Sequence, residues 1–235
     1  MRELSVLILG SGPNVIEARA WSSHPFDKIV VINNAWAVRE DWDDLIYPYD
    51  FPEEKRPNAV QPHQSFVTQK EFVPIQNDYG GFLYAGGTMA FTAGYWVLGH
   101  YKPAHIAFLG CDMHYSKTAQ THFYGKGEAD PLREDISLQS LEAKANRLYI
   151  HAAKEGCQLT NLSAGPSRLT FPRMTIGMSL PDPLTVDDKT VLRAQKREAE
   201  LQYVTPSGRY WEEEDNFDPA EIAALDQLWM QAVLV

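Results

Sequence analysis

Three short stretches of the chain are apolar almost without a break, and each stops at small or polar residues. Residues 4–9 (Leu-Ser-Val-Leu-Ile-Leu) stop at Gly10, and residues 28–32 (Lys-Ile-Val-Val-Ile) stop at Asn33-Asn34. Residues 105–109 (His-Ile-Ala-Phe-Leu) stop at Gly110, and residues 157–161, more polar, read as a short last strand. Runs of this length and continuity are strands buried on both faces, as in a parallel sheet. Another strand is expected over residues 44–49, cut short by Pro48. Residues 65–75 have strand-like composition without a clean period.

Between these runs the period becomes helical. Residues 14–21 read as a helix, and Gly86-Gly87-Thr88 opens a helix apolar on all sides through Leu98, hence a buried one. The clearest helix covers residues 137–155, where Leu141, Ala145, Leu148 and Ala152 form one stripe and Gly156 ends it. Residues 50–64 are polar and proline-rich, a surface excursion, and residues 113–134 are polar and aromatic with no period. Past Pro166 the composition shifts. Residues 164–185 carry Pro166, Pro172, Pro181 and Pro183 and read as a wrapping segment, followed by a charged helix over 187–203. Asp218-Pro219 with Glu221 reads as a capping box, opening a helix whose face is Ile222, Leu225, Trp229 and Ala232. The alternation predicts an α/β fold: a doubly wound, mostly parallel Rossmann-like sheet with helices on both faces and a C-terminal helical extension. The division expected is residues 1–170 for the Rossmann-like domain and 171–235 for the wrapping segment and helices.

Composition and charge narrow the function. Acidic residues outnumber basic ones 31 to 21, for a net charge of −10, a field that opposes binding to nucleic acid or anionic lipid. Cys111 and Cys157 show no disulfide or zinc spacing and read as reduced thiols. The N-terminus runs at once into a strand, and the longest mostly apolar run, residues 89–99, falls short of the ~20 residues of a membrane span. A soluble, cytoplasmic protein without a transmembrane segment is expected. Its C-terminal amphipathic helix can serve a homo-oligomer as readily as a core.

In doubly wound sheets ligands bind beyond the carboxyl ends of the strands, so the strand-end residues are the candidates. Gly10-Ser11-Gly12-Pro13-Asn14 lets backbone approach a ligand at a helix start, although the third glycine of a dinucleotide fingerprint is missing. The alternative is a tight strand-to-helix turn without ligand. Asn33 suits a base edge or a sugar hydroxyl, or simply caps the next element. Gly86, Gly87 and Thr88 start a buried helix and suit an anion or close packing. Asp112, His114, Tyr115, His122 and Tyr124 fall within thirteen residues, a set suited to acid–base work. Lys117, Lys126 and Arg133 add local positive charge for an anionic substrate.

In order along the chain stand Gly-Ser-Gly-Pro, Ile-Asn-Asn, Gly-Gly-Thr, Leu-Gly-Cys-Asp-Met-His-Tyr and a late Gly-Pro-Ser. Over about residues 4–170 this set resembles the bacterial sialyltransferases of glycosyltransferase family 42. The related hydroxymethylpterin diphosphokinase-like and motility accessory families share their fold. The resemblance implies a nucleotide-sugar-binding domain in which Gly10, Ser11, Gly12, Pro13, Asn14, Asn33, Gly86, Gly87, Thr88, Asp112 and Ser167 hold a CMP-activated sugar. It implies that Tyr115 and Tyr124 stabilise the departing phosphate. The family's base is a histidine in a His-Tyr-Ile-Gly-His context. The similar stretch here is His122-Phe123-Tyr124-Gly125-Lys126, which puts Lys126 at the base position and His122 one turn earlier. The basic membrane-binding tail of some members is not expected here, since the C-terminal stretch is acidic.

Three functions follow as expectations. The first is an inverting, metal-independent glycosyltransferase that moves an acidic, sialic-acid-like sugar from a CMP-sugar to a glycan or small acceptor. It needs no cofactor beyond its donor substrate. The second is an ATP- and Mg²⁺-dependent diphosphokinase of the hydroxymethylpterin type, in which Asp112 holds the metal. The third is a nucleotide-binding module without catalysis.

Overall fold

The computed structural model describes residues 3–114, 121–125 and 134–234. Six strands form one sheet: β1 (Ser5–Leu9), β2 (Lys28–Ile32), β3 (Asp44–Ile46), β4 (Ser65–Val67), β5 (His105–Leu109) and β6 (Gln158–Asn161). Their order is β4-β3-β2-β1-β5-β6 and every pairing is parallel. Leu7 of β1 stands between Ile29 of β2 and Ala107 of β5. The chain leaves β1 toward one edge and returns beside it as β5, so the strand order reverses at the β1/β5 boundary. This is the doubly wound, Rossmann-like α/β fold that the apolar runs predict.

Alternation along each strand divides the core into two layers. Val6, Ile8, Ile106 and Phe108 enter the layer covered by α3 (Met89–Tyr101) and α4 (Leu141–Lys154). Leu7, Leu9, Val31 and Leu109 enter the opposite layer, against Val15 and Ala18 of a 3₁₀ helix over Pro13–Ala20. The helix expected over 14–21 is therefore present as the tighter 3₁₀ form.

The segment 65–75 differs from its strand-like composition. Pairing ends at Val67, and α1 (Gln69–Asp78) begins at once because Thr68 and Glu71 form a capping box. The Thr68 N–H donates to Glu71 Oε2 at 2.7 Å. A short α2 (Phe82–Ala85) follows, ahead of α3.

The stripe Leu141, Ala145, Leu148 and Ala152 of α4 faces the sheet as expected. Its other face carries Lys144 and Arg147, both 1% exposed, beneath α5 (Asp188–Leu201) and α6 (Pro219–Ala232). Lys144 Nζ lies 2.7 Å from Asp226 Oδ1 of α6. Arg147 holds both carboxylate oxygens of Glu198 of α5 at 2.8 Å and donates to the Tyr95 hydroxyl. Burial opposes the charge on Arg147, but Glu198 and Tyr95 hold it firmly protonated. The α6 start departs from a full capping box. Asp218 accepts from the Ala220 N–H at 2.8 Å, while Glu221 turns away to Arg197, 2.6 Å distant. Phe171 packs against Phe108 and Tyr149, so the wrapping segment begins inside the core of the sheet domain. Among the described residues no helix is long and apolar enough to cross a membrane.

Removing one partner of a buried pair strands the other charge. Glu198→Ala is therefore expected to cost about 3–5 kcal/mol of unfolding free energy. Urea denaturation checks this, and a loss below about 1 kcal/mol would assign Arg147 another compensating partner.

His105 gives a pH prediction. Its Nε2 lies 2.8 Å from Thr160 Oγ1 between β5 and β6, and burial lowers its pKa to about 4. The unfolded chain, with a histidine value of about 6.5, takes up a proton that the folded chain refuses. Stability is thus fully present above about pH 6.5 and is lost as pH falls toward about 4. From pH 7 to pH 5 this residue contributes a fall of about 2 kcal/mol. Denaturation midpoints at the two pH values should converge in His105→Gln relative to the parent. An equal pH slope in both proteins would contradict the assignment.

Candidate functional site

The loops that follow β1 and β5 touch backbone to backbone at the carboxyl edge of the sheet. The Gly10 N–H donates to Leu109 O and the Gly12 N–H to Gly110 O, both at 2.8 Å. A Cβ on Gly10 would stand 2.3 Å from Gly110 O, and one on Gly12 2.8 Å from the same atom. Gly110 itself has φ +72, the left-handed region. The glycines read as making room for a ligand thus have a packing reason of their own: the two loops approach each other more closely than side chains permit.

This approach brings Asn14 to Asp112. Asn14 Nδ2 donates to Asp112 Oδ2 at 3.0 Å and to Ser163 Oγ at 2.6 Å. Ser163 Oγ also donates to Asp112 Oδ2 at 2.6 Å, and Asn161 Nδ2 to Asp112 Oδ1 at 3.2 Å. Arg173 stands 3.9 Å from Asp112 Oδ1. Asn161 and Ser163 were not among the residues expected from sequence. They sit at and just beyond the end of β6, where the strand-end rule that picked Asp112 applies equally. Ser167 lies behind this network, accepting from Asn161 Nδ2 at 3.0 Å and from the Leu169 N–H.

Above the network opens a cleft of about 570 Å³. Gly10, Ser11, Gly12, Pro13, Asn14 and Asn33 line it from the β1 and β2 ends. Asn33 has φ 51, uncommon for a residue with a side chain, and its Oδ1 is buried with no hydrogen-bond partner among the described residues. Thr88 caps α3 by accepting from the Phe91 N–H, and Thr88, Met89 and Ala90 form one wall. Gly86 and Gly87 do not join them. A Cβ on Gly86 would meet Phe91 at 2.9 Å, and one on Gly87 would meet the Tyr210 hydroxyl at 2.3 Å. Gly86 serves close packing against α3 and α4 and Gly87 against the C-terminal segment, and Gly87 lines a neighbouring cavity.

The opposite wall is a small hairpin. His122 and Gly125 pair across it, and its tip is tied to the glycine loop by the Phe123 N–H, which donates to Ser11 O at 3.1 Å. His122 and Tyr124 stack with centroids 5.0 Å apart and both line the cleft. His122 Nδ1 is 3.0 Å from Thr121 Oγ1, and burial lowers its pKa, favouring the neutral imidazole. His114 also lines the cleft. Tyr115 and Lys126 lie outside the described residues, as do Lys117 and Arg133. The described lining holds the carboxylates of Glu17, Asp50 and Asp112 and no Lys or Arg. The Cys111 thiol, at the cleft floor, is pushed up by burial and by Asp112, which makes it a poor nucleophile. Among the described residues no three His, Cys, Asp or Glu side chains converge as a metal set.

Comparison with family models, with curated proteins and with solved structures finds no match to this chain.

Gly10→Ala tests the packing reason. A methyl group 2.3 Å from a backbone oxygen forces the loops apart. The expected cost is about 1–3 kcal/mol, read by denaturation without any ligand. An unchanged midpoint would leave the glycine to ligand binding alone.

Proposed function

We propose that the cleft binds a CMP-activated acidic sugar and that the protein transfers this sugar to an acceptor hydroxyl. The observation that carries the reading is the tie between Phe123 and Ser11. It joins the histidine hairpin to the glycine loop, so that a base and a nucleotide-binding turn share one cleft. The resemblance to the family 42 sialyltransferases supports the same assignment of roles. Asn33 offers an unsatisfied acceptor to a base amino group or sugar hydroxyl. The start of α3 offers backbone N–H groups to the phosphate.

In the proposed reaction the acceptor oxygen attacks the anomeric carbon as the bond from that carbon to the phosphate oxygen breaks. The electron pair of that bond leaves with CMP, and configuration inverts. His122 takes the acceptor proton, a role suited to an imidazole kept neutral by burial. Tyr124, stacked on it, donates a hydrogen bond to the departing phosphate. Tyr115 and Lys126 keep the roles that the resemblance implies for them.

The diphosphokinase reading asks Asp112 to hold Mg²⁺. Both of its carboxylate oxygens already accept hydrogen bonds, from Asn14, Asn161 and Ser163. This donor set fits a loop organiser better than a metal ligand, so the transferase reading is preferred.

Calorimetry is expected to show CMP binding at least about tenfold more tightly than AMP or ATP, a difference of about 1.4 kcal/mol. Equal or tighter binding of ATP would overturn the reading in favour of the kinase. With a CMP-sugar donor, His122→Ala should lower turnover by ~10²–10⁴ and leave CMP affinity unchanged. Parent turnover should rise with pH as the imidazole loses its proton, with a midpoint below the usual histidine value of about 6.5. Full activity of His122→Ala would transfer the base role to Lys126.

A further inference from the structure

Beside the main cleft lies a second cavity of about 300 Å³. Pro48, Asp50 and Met89 line both cavities, so the two are lobes of one depression. The walls of the smaller lobe are aromatic: Phe72 and Phe82 from the helices, Tyr49 from the β3 end, and Tyr210 and Trp211 from the C-terminal segment. Tyr49 and Trp211 stack at 6.2 Å with planes 20° apart, yet remain 59% and 45% exposed. Large aromatic faces left open at the mouth of a pocket are the usual anchors of a ligand.

The lobe is held in place by its neighbours. Tyr210 is 3% exposed, donates to Asp135 Oδ2 at 2.6 Å and stacks on Phe82. Gly208, at φ +76, lies where a Cβ would press on Val73 and Phe82 at 3.0 Å. Trp211 is thus presented by an anchored turn. Charge gives the lobe a direction. Asp50 stands at the junction with the main cleft, whereas Arg209 lines the smaller lobe alone. Arg209 is well exposed and forms a long ion pair, 3.4 Å to Glu212.

We propose that this lobe binds an aromatic ring carrying a hydroxyl at one end and an anionic group at the other. The ring lies on Trp211 and Tyr49, the anion meets Arg209, and the hydroxyl reaches Asp50 at the mouth of the main cleft. Flat aromatic walls fit a planar ring better than a puckered one, and the two charged side chains fix its orientation. Binding stands independently of the transfer reaction. That this hydroxyl is the acceptor of the sugar rests on the proposed function above.

The test uses the full chain and saturation-transfer NMR with 4-hydroxyphenylacetate, its neutral analogue 4-methylphenol, and methyl β-galactoside. Both aryl compounds are expected to bind and the galactoside to give no signal. Arg209→Ala should weaken 4-hydroxyphenylacetate roughly three- to tenfold and leave 4-methylphenol unchanged. Trp211→Ala should weaken both aryl compounds by about tenfold. Both side chains are exposed, so the variants should keep the parent's melting temperature. Binding of the galactoside without the aryl compounds would overturn the proposal, as would equal affinities in parent and variants. CMP titrated in parallel separates the two readings. Aryl binding without CMP binding sinks the transferase and keeps this site, and CMP binding without aryl binding does the reverse.

Discussion

The contact on which the rest of the site depends is the approach of Gly10 and Gly12 to Gly110. It occurs where β1 and β5 part in opposite directions, the one place in this sheet where two adjacent loops diverge and leave a crevice. Side chains there would prop the loops apart, since even a methyl group at Gly10 would overlap a carbonyl oxygen. With the loops in contact, Asn14 reaches Asp112, and Asp112 in turn gathers Asn161 and Ser163 from the end of β6. A carboxylate in a partly buried position is costly unless its oxygens are matched by donors. The matching is what fixes loops from β1, β5 and β6 relative to one another. A single backbone contact is thereby extended across half of the sheet's carboxyl edge.

The second determinant is the cover that α5 and α6 place over α4. Lys144 and Arg147 would be an ordinary solvated face if α4 were the last element of the domain. Under the cover they become buried charges, each matched by one carboxylate, Asp226 and Glu198. Such pairs add little net stability but strongly disfavour alternative docking of the helices, because any shift strands a charge. The chain between α5 and α6 carries Tyr210 and Trp211. Its position over the cleft therefore follows from where these two pairs set the helices. The aromatic lobe is in this sense a product of the C-terminal extension, not of the sheet.

What the sequence reveals follows from how local its cause is. The strands are legible because burial on both faces forces continuous apolar runs, and α3 and α4 because their stripes or caps lie within one segment. The strand-like composition of 65–75 misleads since Phe66, Val73 and Ile75 give no period, while the deciding feature is the Thr68–Glu71 capping box. That box is itself a four-residue motif, and it was present to be read. Lys144 and Arg147 could not be read as buried, because their partners lie 82 and 51 residues away. Asn14, Asp112, His122 and Tyr124 line one cleft, and their places at strand ends and in one loop were legible in the sequence. Gly86 and Gly87 do not line the main cleft; small residues at a helix start look the same whether they admit an anion or a neighbouring side chain. The aromatic lobe draws on four separated segments, none with a pattern of its own.

The charge of the cleft has to be judged by its geometry and not by its count of carboxylates. Glu17, Asp50 and Asp112 line it without a described Lys or Arg, which by count alone argues against an anionic ligand. Asp112, however, is surrounded by the amide of Asn14, the amide of Asn161 and the hydroxyl of Ser163, with Arg173 at 3.9 Å. Its field in the cleft is therefore largely compensated. Glu17 and Asp50 are exposed, so water and salt screen them. The dipole of α3 is different: its positive end opens directly into the cleft at Met89 and Ala90, and its helix is buried, where screening is weak. The end of the helix dipole that a ligand would meet at that wall is the positive one. An acidic protein can in this way present an anion-accepting wall without a basic side chain, and Asp50 is left at the junction to favour a hydrogen-bond donor there.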